Sequence, residues 1–169
     1  MNEAALAQGR GMSGLGSAQA ARLIALLLPL GLLGGALGSQ YIGGLHPCEM
    51  CYWQRWPHGL AILLAAGSFT APATSSRSRA LTLLAALSIA VSGAIGVYHA
   101  GVEAKVFEGF TTCTSNGAMS FEDLLKVPLV RCDQIQWSLF GISMAGWNAI
   151  LSLGGAALIL ILSLKGRRA

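Results

Sequence analysis

Charge is what this chain has least of: Asp, Glu, Lys and Arg make up 11% of its 169 residues, against roughly 25% in soluble domains. A chain that is 54% hydrophobic, with a mean hydropathy of +0.61, cannot turn a mostly polar surface to water. A water-soluble domain is excluded, and lipid is the expected solvent. The formal charge of +4 does not point to nucleic acid, because the basic residues form short clusters between apolar runs with no interleaved aromatics. Cysteine is scarce too, at four residues. A haem-attachment motif is excluded, since Tyr52 stands where C-x-x-C-H requires histidine.

Long apolar runs are abundant. Crossing about 30 Å of hydrocarbon takes roughly 20 apolar residues, and four stretches qualify, at about 20–41, 53–72, 80–99 and 143–164. Arg22 is placed to snorkel at the near interface. Pro57 falls inside the second run, where proline is tolerated if neighbouring groups satisfy the freed carbonyl. The expected fold is an all-α membrane protein, a four-transmembrane-helix bundle with a long outer loop between helices 3 and 4. Residues 20–164 form a single membrane domain, with outer loops at about 42–52 and 100–142. Residues 1–19, rich in Gly and Ser, read as a flexible tail, and 165–169 as a basic tail. Ala36-Leu37-Gly38 resembles a signal cleavage site, but the long polar stretch before the first run favours its retention as a span.

Basic residues set the orientation. Arg10, Arg22, Arg77, Arg79, Lys165, Arg167 and Arg168 all fall on one side of four spans, so both termini are expected in the cytoplasm. The long outer segment carries three basic against five acidic residues. Of the 12 aromatics only Phe69 falls near a cytoplasmic end; the rest crowd the outer face, as an interfacial belt, a docking surface or both.

Cys48, Cys51, Cys113 and Cys132 all fall on that outer side. Three uses of them compete. Two structural disulfides could brace the loops, as in other oxidising compartments. A Cys₄ zinc site usually needs two C-x-x-C knuckles, and here Cys113 and Cys132 are separated by 18 residues. Redox exchange is the third, because a disulfide within C-x-x-C closes a very short loop and is easily reduced. Cys51 opens the second span, with Arg55 four residues on, where a cation would favour the thiolate. His58 lies seven residues on, and His99 ends the third span on the same side.

Cys48-Glu49-Met50-Cys51-Tyr52-Trp53-Gln54-Arg55, two more cysteines in a long outer loop, and Cys132-Asp133-Gln134-Ile135-Gln136-Trp137 with Leu139-Phe140-Gly141 together resemble the bacterial disulfide bond formation protein B (DsbB) family. The resemblance covers about Ala20 to Leu164. It implies a multi-pass inner-membrane enzyme, monomeric in the lipid, that reoxidises a periplasmic DsbA-like dithiol protein and passes two electrons to a membrane quinone, ubiquinone or menaquinone. It further implies that Cys113 forms the mixed disulfide with that partner and Cys132 completes the loop pair. Cys48 and Cys51 would be the quinone-facing pair, with Cys51 the thiolate touching the ring, and Arg55 and His99 would bind the quinone. Gln54 departs from the acidic residue common before that arginine, and the Cys113 to Cys132 loop is short. The segment Val106 to Arg131 is the expected docking surface, alternatively an amphipathic helix lying on the membrane. The rival functions are a scaffold or transporter braced by loop disulfides, and the reverse chemistry in which protein thiols reduce a quinone-like substrate.

Overall fold

The structure, a computed structural model, describes residues 3–109 and 130–168. Among the described residues four helices carry it: α1 (Glu3–Tyr41), α2 (Glu49–Ser68), α3 (Ser76–Glu103) and α4 (Met144–Arg168). A two-stranded hairpin, β1 (Ser138–Leu139) and β2 (Ile142–Ser143), leads into α4. α3 packs on α2 and α4, and α1 on α4 and α2. Three helical stretches, Gly16–Tyr41, Ser76–Glu103 and Met144–Gly166, are long and apolar enough to cross a membrane.

Small side chains let the helices approach. The core is built from Ala21, Ala25, Ala61, Ala65, Ala85, Ala86 and Ala156 around Ile89 and Ile159, while Leu27, Leu63 and Leu87 face outward. That is the arrangement of a membrane bundle, in which lipid solvates the large apolar groups and close backbone contact holds the helices. At Gly96 a Cβ would lie 3.0 Å from the Ala145 carbonyl oxygen and 3.1 Å from the Ala149 nitrogen. Gly96→Leu should therefore wedge α3 from α4 and lower stability by about 1–3 kcal/mol. An unchanged unfolding midpoint in detergent would count against this packing.

Three helix starts differ from the sequence reading, and that of α2 matters for the site. α2 begins at Glu49 and not near Trp53, because Cys48 caps it: the Cys48 sulfur accepts the Cys51 N–H at 3.3 Å. Pro57 thus sits well inside the helix. The hydroxyls of Ser88 and Ser92 on α3 donate to the carbonyls of Pro57 and Gln54, each at 2.8 Å, and tie α3 to the turn of α2 that holds the proline. α3 starts at Ser76, with Ser75 accepting the Ser78 N–H at 3.1 Å. α1 reaches back to Glu3, over the stretch read as a flexible tail; alanines such as Ala4, Ala5 and Ala7 favour helix there.

Arg22 marks the opposite end of the bundle from the cysteines. Its guanidinium donates to the Ser68 and Ala71 carbonyls at 3.3 and 3.1 Å and lies 4.6 Å over the Phe69 ring, so α1 caps the C-terminus of α2. The hairpin turn places Phe140 and Gly141 at φ of 53° and 77°, which glycine adopts without strain and which suits a two-residue connection.

Candidate functional site

The capped start of α2 brings the expected residues together. Cys48 is buried and Cys51 half-buried, with their sulfurs 2.9 Å apart. Cys132 arrives from the segment between α3 and β1. It joins Cys48, Met50 and Val102 in one buried cluster and hydrogen-bonds with Cys48. The short loop thus does not keep Cys132 from Cys48. A surface clamp helps to hold it: Asp133 takes two hydrogen bonds from Arg131, each at 2.8 Å, and an ion pair from Lys105 beyond the end of α3. Arg131 first, then Lys105, holds the exposed Asp133 carboxyl well below the ordinary carboxylate range. Cys113 and most of the segment Val106 to Arg131 lie outside the described residues.

Arg55 lies one helical turn beyond Cys51. It donates to the Gln40 side chain and, at 3.1 Å, to the Ala36 carbonyl, and it stacks 5.0 Å from the Tyr52 ring centre. Its Nε is buried and, among the described residues, has no hydrogen-bond partner. His99 is buried at the end of α3, with Nε2 3.5 Å from the Cys48 sulfur and 3.8 Å from Glu103. Glu103 in turn accepts the Ser143 hydroxyl. The side-chain N and S atoms of Cys48, Cys51 and His99 all fall within 4.8 Å of one another, a set that suits thiol chemistry.

Asn148 and Ser92 had no sequence motif to announce them, and the motif around Gln54 did not show what it contacts. Gln54 donates to the Met50 carbonyl and to His99 Nδ1, Asn148 on α4 donates to Gln54, and Ser92 links both to His58. Asn148 carried a signal, as an amide inside an otherwise apolar helix.

These side chains line a cavity of about 640 Å³, within the size range of small-molecule sites. One end is polar, with Cys48, Cys51, Arg55 and His99; the other reaches Gly31 and Leu32 of α1. A planar ring with carbonyl oxygens and an apolar tail fits those walls, with the Arg55 guanidinium at the polar end.

The two thiols of the pair are driven apart. Hydrogen bonding with Cys132, then with Cys51, and then burial push the Cys48 thiol far above its ordinary value. Cys51, in the first turn of α2 ahead of the apolar stretch that begins at Trp53, is shifted down. The hydrogen bond from Cys48 is the largest cause; burial opposes it, a backbone hydrogen bond from Cys48 supports it, and the Arg55 charge adds to it. A lowered thiol keeps its thiolate at pH values where an ordinary thiol, near pKa 8.5, is protonated. Limiting alkylation of the reduced protein at about pH 6–7 should therefore label Cys51 over Cys48 by roughly tenfold or more. Peptide mass mapping checks this; equal labelling would contradict it.

Comparison with known proteins gives a consistent picture. Disulfide bond formation protein B of Xanthomonas oryzae pv. oryzae is 26% identical over 155 residues, covering 86% of this chain and 90% of that protein. The proteins of the same description from Chromohalobacter salexigens and Methylococcus capsulatus are each 32% identical, covering 82% and 87% of this chain and 84% and 94% of theirs. No solved structure matches the chain at a significant level. The family model described as "Disulfide bond formation protein DsbB" matches residues 18–162. With Cys48, Cys51 and Cys132 gathered at one end of a bundle of lipid-suited helices, the chain belongs to the DsbB family of disulfide bond formation proteins.

Proposed function

We propose that the protein is a membrane thiol:quinone oxidoreductase that reoxidises a periplasmic DsbA-like dithiol protein. The contact between Cys132 and Cys48, with Cys48 and Cys51 both lining the cavity, carries this reading. All four helices span the inner membrane, α2 included, with both termini cytoplasmic and the cysteines on the periplasmic side. α2 falls short of the other three in hydropathy because its inward face is polar, with Gln54, His58 and Ser68 among its buried residues. Its outward face carries Trp53, Trp56, Leu60 and Leu63, which suits lipid.

The reaction balances as partner dithiol plus quinone giving partner disulfide plus quinol, with two electrons and two protons transferred. Cys113 takes the partner's thiolate, and Cys132 leaves from it. The partner's second thiolate displaces Cys113 and completes the partner disulfide. The Cys132 thiolate attacks Cys48 of the Cys48–Cys51 disulfide, and Cys51 departs as the thiolate that its surroundings favour. Cys113 then attacks Cys132 of the Cys48–Cys132 bond, which restores the Cys113–Cys132 disulfide and releases Cys48, so that Cys48 and Cys51 close again as a disulfide when their two electrons leave. The membrane quinone, as substrate, accepts the two electrons at the cavity. Arg55 orients its carbonyl and stabilises the charge that develops there, and His99 lies against the Cys48 sulfur at 3.5 Å.

The test is anaerobic mixing of the purified protein with a reduced C-x-x-C partner and quinone, following the quinone spectrum. Catalytic quinol formation is expected; partner oxidation without quinone consumption would refute the reading. Arg55→Ala should raise the apparent KM for quinone by about tenfold, the scale of a charge-assisted hydrogen bond. An unchanged KM removes Arg55 from the quinone site.

A further inference from the structure

Behind Cys48 the buried amides have only one consistent orientation. Backbone carbonyls can only accept hydrogen bonds. The Asn148 atom 3.2 Å from the Ser92 carbonyl is therefore its Nδ2, and the Gln54 atom 3.1 Å from the Met50 carbonyl is its Nε2. Asn148 is fixed from its other side as well, since its Oδ1 accepts the Ser152 hydroxyl and the His58 Nε2–H, each at 2.9 Å. Asn148 Nδ2 then donates to Gln54 Oε1 at 2.7 Å, and Gln54 Nε2 donates to His99 Nδ1 at 2.8 Å. A ring nitrogen that receives a hydrogen bond carries no proton of its own. The proton of a neutral His99 is on Nε2, the nitrogen 3.5 Å from the Cys48 sulfur.

We infer that Asn148 and Gln54 are positioning residues that hold His99 as a fixed Nε2–H donor to Cys48, so that this histidine acts as a hydrogen-bond donor and not as a proton shuttle. The hydrogen bonds then run one way, from Asn148 through Gln54, His99 and Cys48 to Cys51. Each donor polarises the next, and the chain ends on the sulfur that carries negative charge. With Nδ1 occupied by the Gln54 amide, the ring has no free nitrogen through which to relay a proton. With a proton on Nε2, it offers no lone pair to a cation at the thiols. The groups around this nitrogen are the Cys48 sulfur at 3.5 Å, the Cys132 backbone, which also hydrogen-bonds the ring and shares the N–H, Glu103 at 3.8 Å, and Cys51 beside Cys48. A carboxylate facing an N–H is consistent with the same tautomer.

The functional half of this inference rests on Cys51 being the reacting thiolate; the tautomer does not. The chain has only three histidines, so ¹⁵N-histidine labelling of the full protein in nanodiscs reads the ring directly. His99 should show a protonated Nε2 and a bare Nδ1 at neutral pH. Gln54→Glu, whose ionised carboxylate can only accept, should at a pH where infrared spectroscopy shows that carboxylate ionised move a proton onto Nδ1, and Asn148→Asp, ionised likewise, should do the same by turning the Gln54 amide over. A wild-type His99 protonated on Nδ1, or Nδ1 left bare in Gln54→Glu, would overturn the inference whether or not a quinone is the acceptor. Independently, His99→Gln keeps an N–H donor without a titrating ring. It should retain Cys51 alkylation at near neutral pH within about twofold of wild type, whereas His99→Leu should lose roughly fivefold, the scale of one hydrogen bond. Equal loss in both would overturn the donor role. A wild-type protein that fails to reduce quinone while His99 shows the expected tautomer would sink the proposed function and leave the positioning intact.

Discussion

Cys51→Ser should abolish quinone-dependent turnover, with a loss of at least roughly a thousandfold, as expected when a nucleophile that acts as part of a unit is removed. A serine hydroxyl is not ionised near neutrality and forms no disulfide, so the two electrons held by Cys48 and Cys51 have no exit to the cavity. The fold should survive. Cys51 is only half-buried, and serine leaves the cap on α2 in place, because that bond runs from the backbone N–H of residue 51 to the Cys48 sulfur. An unfolding midpoint close to wild type combined with lost quinol formation is the expected pair of results. Full turnover in Cys51→Ser would remove that sulfur from the reaction.

Cys132→Ser should produce an equally large loss with a different signature. Its sulfur is buried in the same cluster as Cys48, so it is the only cysteine among the described residues, apart from Cys51, placed to exchange with that position. Without it Cys113 has no disulfide to offer the partner's thiolate and nothing exchanges with Cys48, so oxidation of the partner protein should fall by roughly a thousandfold in steady-state rate. A small dithiol that reduces the Cys48–Cys51 pair directly should still drive quinol formation at a rate near wild type. That split separates a relay from a structural brace. If the small dithiol also fails, Cys132 serves the quinone site itself; if the partner is still turned over, another path reaches Cys48.

The parts of this site that were legible in the sequence are those close together along it. Cys48, Cys51 and Arg55 fall within two helical turns, and the cap formed by Cys48 makes that spacing a spatial neighbourhood. His99 was recognisable because it ends an apolar run on the same side. The network behind it was not, since Gln54 meets His99 across 45 positions and Asn148 meets Gln54 across 94. Such pairings follow from which helices adjoin, and apolar run lengths do not specify adjacency. α2 illustrates a second obstacle. Its buried positions Met50, Gln54, His58, Ala61, Ala65 and Ser68 repeat at helical spacing, but with the polar residues inside. That pattern makes sense only once lipid is taken as the solvent outside. The hairpin before α4 was also hidden, because two residues per strand leave almost no alternation to read. The segment containing Cys113 carries the expected partner contact and lies outside the described residues.

The central claim is that the Cys48–Cys51 dithiol delivers its electrons to a quinone held beside Arg55. It is tested most directly by adding quinone to the fully reduced protein without oxygen, and then quenching with acid and mapping the cysteines by mass spectrometry. One quinol should form for each Cys48–Cys51 disulfide recovered, with Cys51→Ser giving neither product. Quinone that remains oxidised while the thiols stay reduced, or a disulfide that forms without quinol, would contradict it.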